Sequence, residues 1–191
     1  MTRIIAGVAG GTPLASVPGT LTRPTTDRVK EALFSRLESM DALTGAHVLD
    51  LFAGSGSLGV ESASRGAASV ELVEYDGGAA AVCQRNAATI NDALGRKVVS
   101  VHRSKVESFL GRVPDANAEQ WDLVFMDPPY PLGEVELSTA LAALAPNLSP
   151  EAVVVLERST RSPEPTWPAA VERFAEKKYG ETRLWFAEPA D

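Results

Sequence analysis

The sequence is poor in the residues that build disulfides and metal centres. Its 191 residues include one cysteine, Cys83, and two histidines, His47 and His102. A single cysteine excludes an intramolecular disulfide and any CxxC motif, and so few ligands argue against a metal site of the Cys/His kind. We therefore expect no metal in this protein.

Long apolar runs and an excess of positive charge are also missing. No stretch of about 18 apolar residues is present, and the apolar run at the start, in MTRIIAGVAGG, is too short for a signal peptide. The net charge of −7 argues weakly against non-specific binding of nucleic acid, because lysine and arginine must displace the counterions of phosphates. A local basic face remains compatible with this charge. We expect a soluble, cytoplasmic monomer with no membrane contact.

Apolar residues make up 45% of the chain, which suits one globular domain with a sizeable core. From residue 48 onward, short apolar runs alternate with helical segments: VLDLF, SVELVEY, KVVSVHR, WDLVFM and AVVVLER. Nearly continuous apolar strands between helices predict a parallel sheet that is buried on both faces. RFAEKKYGETRLWFAE at the end predicts an antiparallel hairpin. The sequence thus predicts a doubly wound α/β fold with a mostly parallel, seven-stranded sheet.

The first residues have a different character. Residues 1–24 are rich in glycine, proline, threonine and valine and predict a short strand or hairpin arm, with turns at AGG and VPGTL. TTDRVKEALFSRLESM then predicts a helix capped by Thr25 or Thr26, with apolar side chains at helical spacing. These apolar positions are Val29, Leu33, Leu37 and Met40. We predict two units, an arm and helix over residues 1–42 and a larger domain over residues 43–191.

A glycine loop follows the first strand. In DLFAGSGSLG, the pattern G-x-G-x-x-G falls on Gly54, Gly56 and Gly59. Glycines let the main chain turn tightly and lie against a nucleoside-bearing ligand. Glu74 ends the second strand, where a carboxylate can accept hydrogen bonds from ribose hydroxyls. The glycines alone could form an ordinary βα turn, but strand, loop, helix, strand and acid in this order favour a nucleoside site.

Asp50 bears on which nucleoside ligand the loop takes. A dinucleotide such as NAD places its pyrophosphate at the helix N-terminus, where a neighbouring carboxylate would repel it. S-adenosylmethionine carries an ammonium group, a ribose and an adenine but no phosphate, and Asp50 could attract the ammonium. A turn or helix cap is the alternative role for Asp50. The loop therefore favours S-adenosylmethionine over NAD.

The stretch DPPY, residues 127–130, ends the fourth strand, which we expect beside the first strand where the sheet order reverses. The Asp127 carboxylate and the Pro128 carbonyl can hold the N–H groups of an exocyclic amine, so that its lone pair faces a sulfonium methyl group. Pro129 stiffens the loop, and the Tyr130 ring can stack on a base. A strand-ending proline turn is the plain alternative. The pattern predicts methyl transfer to an exocyclic amine.

VLDLFAGSGSLG, VEYD and DPPY, in this order, resemble an N-type, Rossmann-like methyltransferase that depends on S-adenosylmethionine. RIIAG, RPTTDRVKEALFSRL and KKYGETRLWF narrow the resemblance to the RsmD family of bacterial 16S rRNA guanine-966 N2-methyltransferases. The resemblance covers nearly the whole chain. It implies S-adenosylmethionine as cofactor and methylation of the 2-amino group of guanine 966 in the small ribosomal subunit. It also implies 16S rRNA or the 30S subunit as partner, with the N-terminal arm and helix facing the RNA.

The resemblance assigns residues to three roles. The implied catalytic residues are Asp127, Pro128, Pro129 and Tyr130. The implied cofactor contacts are Asp50, Phe52, Ala53, Gly54, Ser55, Gly56, Glu74, Tyr75, Ser104 and Val106. The predicted RNA contacts are Arg3, Arg23, Thr25, Thr26, Arg28 and Lys30, and a solvated helix face is the alternative for Arg23, Arg28 and Lys30.

Two stretches depart from the family's pattern. After RIIAG the family usually carries basic residues in a pattern like K-x-R-G-R, whereas this chain has VAGGTPL. The end of the third strand reads RSKVESF, without the aspartate that often contacts the adenine amino group, so Ser104 or main chain near Val106 must serve.

Three other functions fit parts of the pattern. DPPY suits any planar exocyclic amine, so a DNA methyltransferase acting on adenine or cytosine is one alternative, although the chain has no room for a target-recognition domain. An NAD-binding oxidoreductase is a second, and Asp50 counts against it. A catalytically silent RNA-binding module is a third, and the acidic chain counts against it.

Overall fold

The structure is a computed structural model that describes residues 2–19, 26–112 and 120–191. Its elements, in chain order, are α1 (Asp27–Ser39), β1 (His47–Leu51), α2 (Ser57–Ser64), β2 (Ser69–Glu74), α3 (Gly77–Leu94), β3 (Val99–Arg103), α4 (Val106–Leu110), β4 (Trp121–Met126), α5 (Glu134–Leu144), a 3-10 turn (Ala145–Asn147), β5 (Leu148–Ser159), β6 (Val171–Tyr179) and β7 (Thr182–Pro189).

The sheet has the strand order β3-β2-β1-β4-β5-β7-β6. Strands β1 to β5 pair in parallel with one another, whereas β7 is antiparallel to both β5 and β6. The chain builds outward from β1 to β3 and then returns to the other side of β1 with β4. The predicted doubly wound, Rossmann-like fold with a C-terminal hairpin is therefore confirmed. Strand β5 begins earlier than the apolar run AVVVLER indicated, because a bulge lets Leu148 also pair with Trp121.

Each face of the sheet carries its own apolar layer. One layer joins the N-terminal arm, α1, α2 and α3 to strand residues such as Val48 and Phe125. The other joins α4 and α5 to strand residues such as Leu49 and Met126. Successive side chains of a strand point to opposite faces, so both sets of strand residues are buried. By the same alternation, Asp50 and Asp127 point toward the face that α2 covers.

The N-terminal arm folds back on itself as predicted. Arg3 and Pro13 form an antiparallel bridge, and the backbone N–H of Leu14 donates to the Thr2 carbonyl over 2.8 Å. Ile4 and Leu14 are buried in the same apolar layer as α1. The predicted division at residue 42 stays a prediction, and the shared layer shows that the arm packs on the larger unit.

Helix α1 begins as its sequence predicts. The hydroxyl of Thr26 caps it by accepting from the backbone N–H of Val29 over 3.3 Å, and Asp27 lies in the first turn, where a negative charge is favourable. Phe34 is buried beside the predicted stripe, with its ring centroid 5.8 Å from that of Phe125. The buried face is wider than the predicted stripe because the helix packs on both the sheet and the arm.

Candidate active site

A cavity of about 870 Å³ lies at the carboxyl ends of β1, β2, β3 and β4. This is where a doubly wound sheet binds its ligand, and the volume suits a small-molecule cofactor. The predicted site residues that line it are Asp50, Phe52, Ala53, Gly54, Ser55, Glu74, Tyr75, Ser104, Val106, Asp127 and Pro129. Thr2, Ser16, Val17 and Lys105 also line it, and the sequence did not single them out. The fold thus brings most of the predicted cofactor and catalytic residues to one place.

Glu74 ties the glycine loop to the end of β2. One of its carboxylate oxygens accepts from the backbone N–H of Gly54 over 2.8 Å, and the other accepts from that of Asp76 over 2.9 Å. Each oxygen has a second lone pair, so the carboxylate can still accept from a ligand in the cavity. Glu74 therefore fixes the shape of the loop in addition to its predicted contact with a ribose.

Two glycines of the motif serve close packing between α2 and the sheet. Gly56 precedes α2 with a φ of +79°, and a Cβ there would lie 2.7 Å from the Leu72 side chain. A Cβ on Gly59 would lie 2.3 Å from the same leucine. Gly56 lies behind the cavity lining and does not itself line it, so the structure gives it a packing role.

Asp50 is buried at the base of the cavity, with 2% of its surface exposed. One carboxylate oxygen accepts from the backbone N–H of Gly59 in α2 over 3.2 Å. Burial raises the pKa of Asp50 well above its ordinary value, and the nearby charges of Asp127 and Glu74 raise it further, against the opposing bond from Gly59. Asp50 therefore both caps the helix backbone and offers a carboxyl group that a cation in the cavity would stabilise.

The DPPY stretch forms the rim of the cavity. The register Leu51↔Met126 aligns the end of β4 with the end of β1, so that Asp127 follows β4 beside the glycine loop. Pro128 is buried, Pro129 lines the cavity, and the ring of Tyr130 is 78% exposed. The acid thus faces the cavity while the aromatic ring faces solvent.

Glu157 is a member of this region that the sequence analysis missed. The register Met126↔Leu156 puts Asp127 and Glu157 at the same level on adjacent strands. Phe125 and Val155, the residues two places before them, belong to the same apolar layer, so both acids point to the same face. An acid that ends the apolar run AVVVLER was the available signal, by analogy with Glu74 at the end of β2.

The two acids titrate together. Loss of bulk solvation raises the pKa of Asp127 to about 6, although the Arg158 guanidinium lowers it in part. The Asp127 side chain has a surface exposed to the solvent in the cavity, and protein surrounds it on the other sides. Desolvation, and then the charge of Asp127, raise the pKa of Glu157 to about 8. The rim therefore carries less negative charge at neutral pH than its sequence implies.

The predicted RNA contacts fall into three groups. Arg23 and Thr25 lie outside the described residues. Arg3 and Arg28 are exposed, and Arg3 pairs with Asp27 over 3.0 Å. Thr26, also exposed, caps α1. Arg3, Thr26 and Arg28 are therefore accessible to a large partner.

The prediction that Lys30 contacts RNA is wrong. Its side chain is 1% exposed, pairs with Glu61 over 3.2 Å and donates to the Arg3 carbonyl over 2.9 Å. Desolvation lowers the pKa of Lys30, while Glu61 opposes that shift. Lys30 sits one turn before Phe34 on the buried face of α1, where it neutralises a buried carboxylate and cannot reach a phosphate.

Cys83 has no features of a nucleophile. It is buried, its thiol donates to the Gly54 carbonyl over 3.0 Å, and burial raises the pKa of the thiol. Within residues 2–19, 26–112 and 120–191, no three His, Cys, Asp or Glu side chains are grouped so that they could hold a metal ion. No helix in that described part of the chain is both long and apolar enough to cross a membrane.

Residues 2–188 match the family described as Conserved hypothetical protein 95. The chain is 36% identical over 181 residues to "Ribosomal RNA small subunit methyltransferase D" of Escherichia coli K12. The aligned region covers 94% of this chain and 85% of that protein. It is 35% identical over 161 residues to the protein of the same name from Haemophilus influenzae, covering 84% of this chain and 80% of that one.

Solved structures agree with the sequence comparison. The Escherichia coli yhhF protein superposes with a TM-score of 0.82 at 33% identity, covering 99% of this chain and 98% of that chain. A magnesium protoporphyrin IX methyltransferase from Synechocystis, solved with bound SAM, has a TM-score of 0.63 at 15% identity, covering 85% of this chain and 79% of that chain. At that identity the likeness shows the fold alone.

Replacing Lys30 tests whether its buried ammonium group, on helix α1, stabilises the fold. We expect Lys30→Met to lower the free energy of unfolding by about 3 kcal/mol, because it leaves the buried Glu61 carboxylate with one cation fewer. Urea unfolding measures this value. Arg28→Met, an exposed change in the same helix, should alter it by less than about 0.5 kcal/mol. Equal stabilities of the two variants would contradict the buried pair.

Proposed function

Because the chain belongs to the Conserved hypothetical protein 95 family, which is the RsmD family, we propose that it methylates the small-subunit ribosomal RNA. The methyl donor is S-adenosylmethionine, and the acceptor is the exocyclic N2 amine of one guanine, guanine 966 of 16S rRNA. The partner is the 30S subunit or its RNA, which places the activity in the cytoplasm.

The charge of the cavity is the observation that carries the proposal. Among the residues that the structure describes, five acids line it, namely Asp50, Glu74, Asp76, Glu107 and Asp127, against one cation, Lys105. Such a cavity repels a pyrophosphate and attracts a ligand with positive charge and free hydroxyls. S-adenosylmethionine has an ammonium, a sulfonium and a ribose, so its charge complements that of the lining.

When bound, S-adenosylmethionine supplies a methyl group on a sulfonium, which is already a good electrophile. The task left to the protein is to orient the acceptor amine. Asp127 and the Pro128 carbonyl accept from the two N–H groups, so that the nitrogen lone pair points into the cavity. Held by Asp50, Glu74 and the glycine loop, S-adenosylmethionine would supply the methyl group to the nitrogen lone pair and would keep the electron pair of the broken S–C bond on sulfur. The nitrogen then gives up one proton, which Asp127 is placed to accept.

The rim has the surface that an extruded base requires. Tyr130 is 78% exposed beside Asp127, and stacking on an aromatic ring stabilises a base by about 1–3 kcal/mol. Tyr75 is 63% exposed, with the Lys105 ammonium 5.3 Å from the centre of its ring. Arg3 in the N-terminal arm and Arg28 in α1, which precede the larger domain in the sequence, are candidate phosphate contacts.

The first test is methyl transfer from labelled S-adenosylmethionine. We expect transfer to 30S subunits that contain guanosine at the target position and none to subunits reconstituted with inosine there, because inosine lacks the 2-amino group. Duplex DNA should accept no label. Binding of S-adenosylmethionine without transfer to unmethylated 30S would refute the RNA substrate, and transfer to DNA would favour the adenine or cytosine alternative.

Asp127→Ala tests the amine-orienting role. We expect the single-turnover rate to fall by at least about a hundredfold, because an oriented acceptor and its proton-accepting oxygen are both lost. Calorimetry should show nearly unchanged affinity for S-adenosylmethionine and no binding of NAD. A variant that retains most of the wild-type rate would remove Asp127 from the mechanism.

The pH profile provides a separate test of Asp127. The carboxyl can accept from the amine only when ionised, so the single-turnover rate should fall as the pH drops through about 6. Because Arg158 stabilises the ionised form, Arg158→Met should move this acid limb to higher pH. A rate that is constant from pH 5 to 8, or a limb that Arg158→Met leaves in place, would contradict the assignment.

A further inference from the structure

The cavity has a wall that comes from the N-terminal arm. Thr2, Ser16 and Val17 line it together with the glycine-loop residues Gly54 and Ser55. The arm lies far from the loop in sequence, and neither its composition nor its turns indicate a cofactor contact. Something must therefore hold these two backbone segments together.

Asn86 of α3 provides that link. It is 1% exposed, and its side-chain amide makes three hydrogen bonds. The carbonyl oxygen accepts from the backbone N–H of Ala15 over 2.8 Å, and the amide nitrogen donates to the Ala15 carbonyl over 3.0 Å. The same nitrogen donates to the Ser55 carbonyl over 2.8 Å. One buried side chain thus fixes both the arm and the glycine loop.

The first half of the arm has its own anchor on α2. Glu61 accepts from the backbone N–H groups of Ile5 and Ala6 over 2.8 and 3.1 Å, and Ser64 accepts from that of Ala9 over 3.0 Å. Gly7 lies so close that a Cβ would be 2.0 Å from the Ser64 carbonyl oxygen. This anchor ends before residue 15, whereas Asn86 holds Ala15, the residue next to the cavity-lining Ser16 and Val17.

We propose that Asn86 is a positioning residue that holds residues 15–17 of the arm as a wall of the cofactor pocket. The inference rests on the proposed function, since the cofactor is the ligand of that pocket. It gives the arm a second role beside its predicted contact with RNA.

Helix α3 offers a matched control in Asn91. This asparagine also makes three hydrogen bonds from its side-chain amide, but they go to the backbone of Val98 and Val99 at the start of β3. Neither Asn91 nor its partners line the cavity. Replacing either asparagine removes the same number of hydrogen bonds from the same helix, so the two variants differ in location and in burial, since Asn91 is half-buried.

The experiment compares Asn86→Ala with Asn91→Ala in the full chain. Both should unfold at lower urea concentrations than the wild type. By calorimetry, Asn86→Ala should bind S-adenosylmethionine on the order of tenfold more weakly. A loss of about 1.4 kcal/mol of binding free energy, close to the contribution of one hydrogen bond, lowers the affinity tenfold. Asn91→Ala should stay within about twofold of the wild type. Hydrogen exchange should show cofactor-dependent protection of residues 15–17 that Asn86→Ala loses.

A second pair of variants keeps the buried bonds intact. Ser16 is exposed and borders the cavity, so Ser16→Trp should fold normally and weaken S-adenosylmethionine binding at least about tenfold, whereas Ser35→Trp on the exposed face of α1 should not. Wild-type affinity in both Asn86→Ala and Ser16→Trp would overturn this inference but leave the proposed function standing. A wild-type protein that binds no S-adenosylmethionine would instead overturn the proposed function, and this inference with it.

Discussion

The parallel pairing of β1 with β4 is the constraint on which the site depends. These strands are far apart in sequence, and the register Leu51↔Met126 brings their carboxyl ends level at the reversal of the sheet order. The glycine loop leaves one end and the DPPY stretch leaves the other. A slip of one residue would turn Asp127 to the opposite face and away from Asp50. The apolar residues that set this register therefore also set the chemistry.

Local sequence was enough to predict the elements and the part of the site lining that lies at the strand ends. VLDLF and WDLVFM are strands because they are short, apolar and followed by glycine or proline, and the residues after them occupy strand ends in any parallel sheet. Glu74, Asp50 and Asp127 could be identified for that reason. Glu157 obeys the same rule, but its strand carries no glycine loop or proline pair to draw attention to it.

Residues whose role depends on distant partners could not be predicted. Lys30 lies among charged neighbours and has the sequence context of a surface cation, yet its partner Glu61 belongs to another helix. Asn86 is equally ordinary in an alanine-rich helix until Ala15 and Ser55 are placed on either side of it. A buried polar side chain needs its hydrogen bonds satisfied, and those partners are fixed only when the whole fold is present.

The attachment of the arm to Glu61 and Asn86 bears on how the chain folds during its own synthesis. The arm is translated before its anchors on α2 and α3, so it has no complete docking surface until both helices have been made. Until then Ile4 and Leu14 lack their final neighbours. The arm is thus held back from its native place, and its docking requires both helices to have formed.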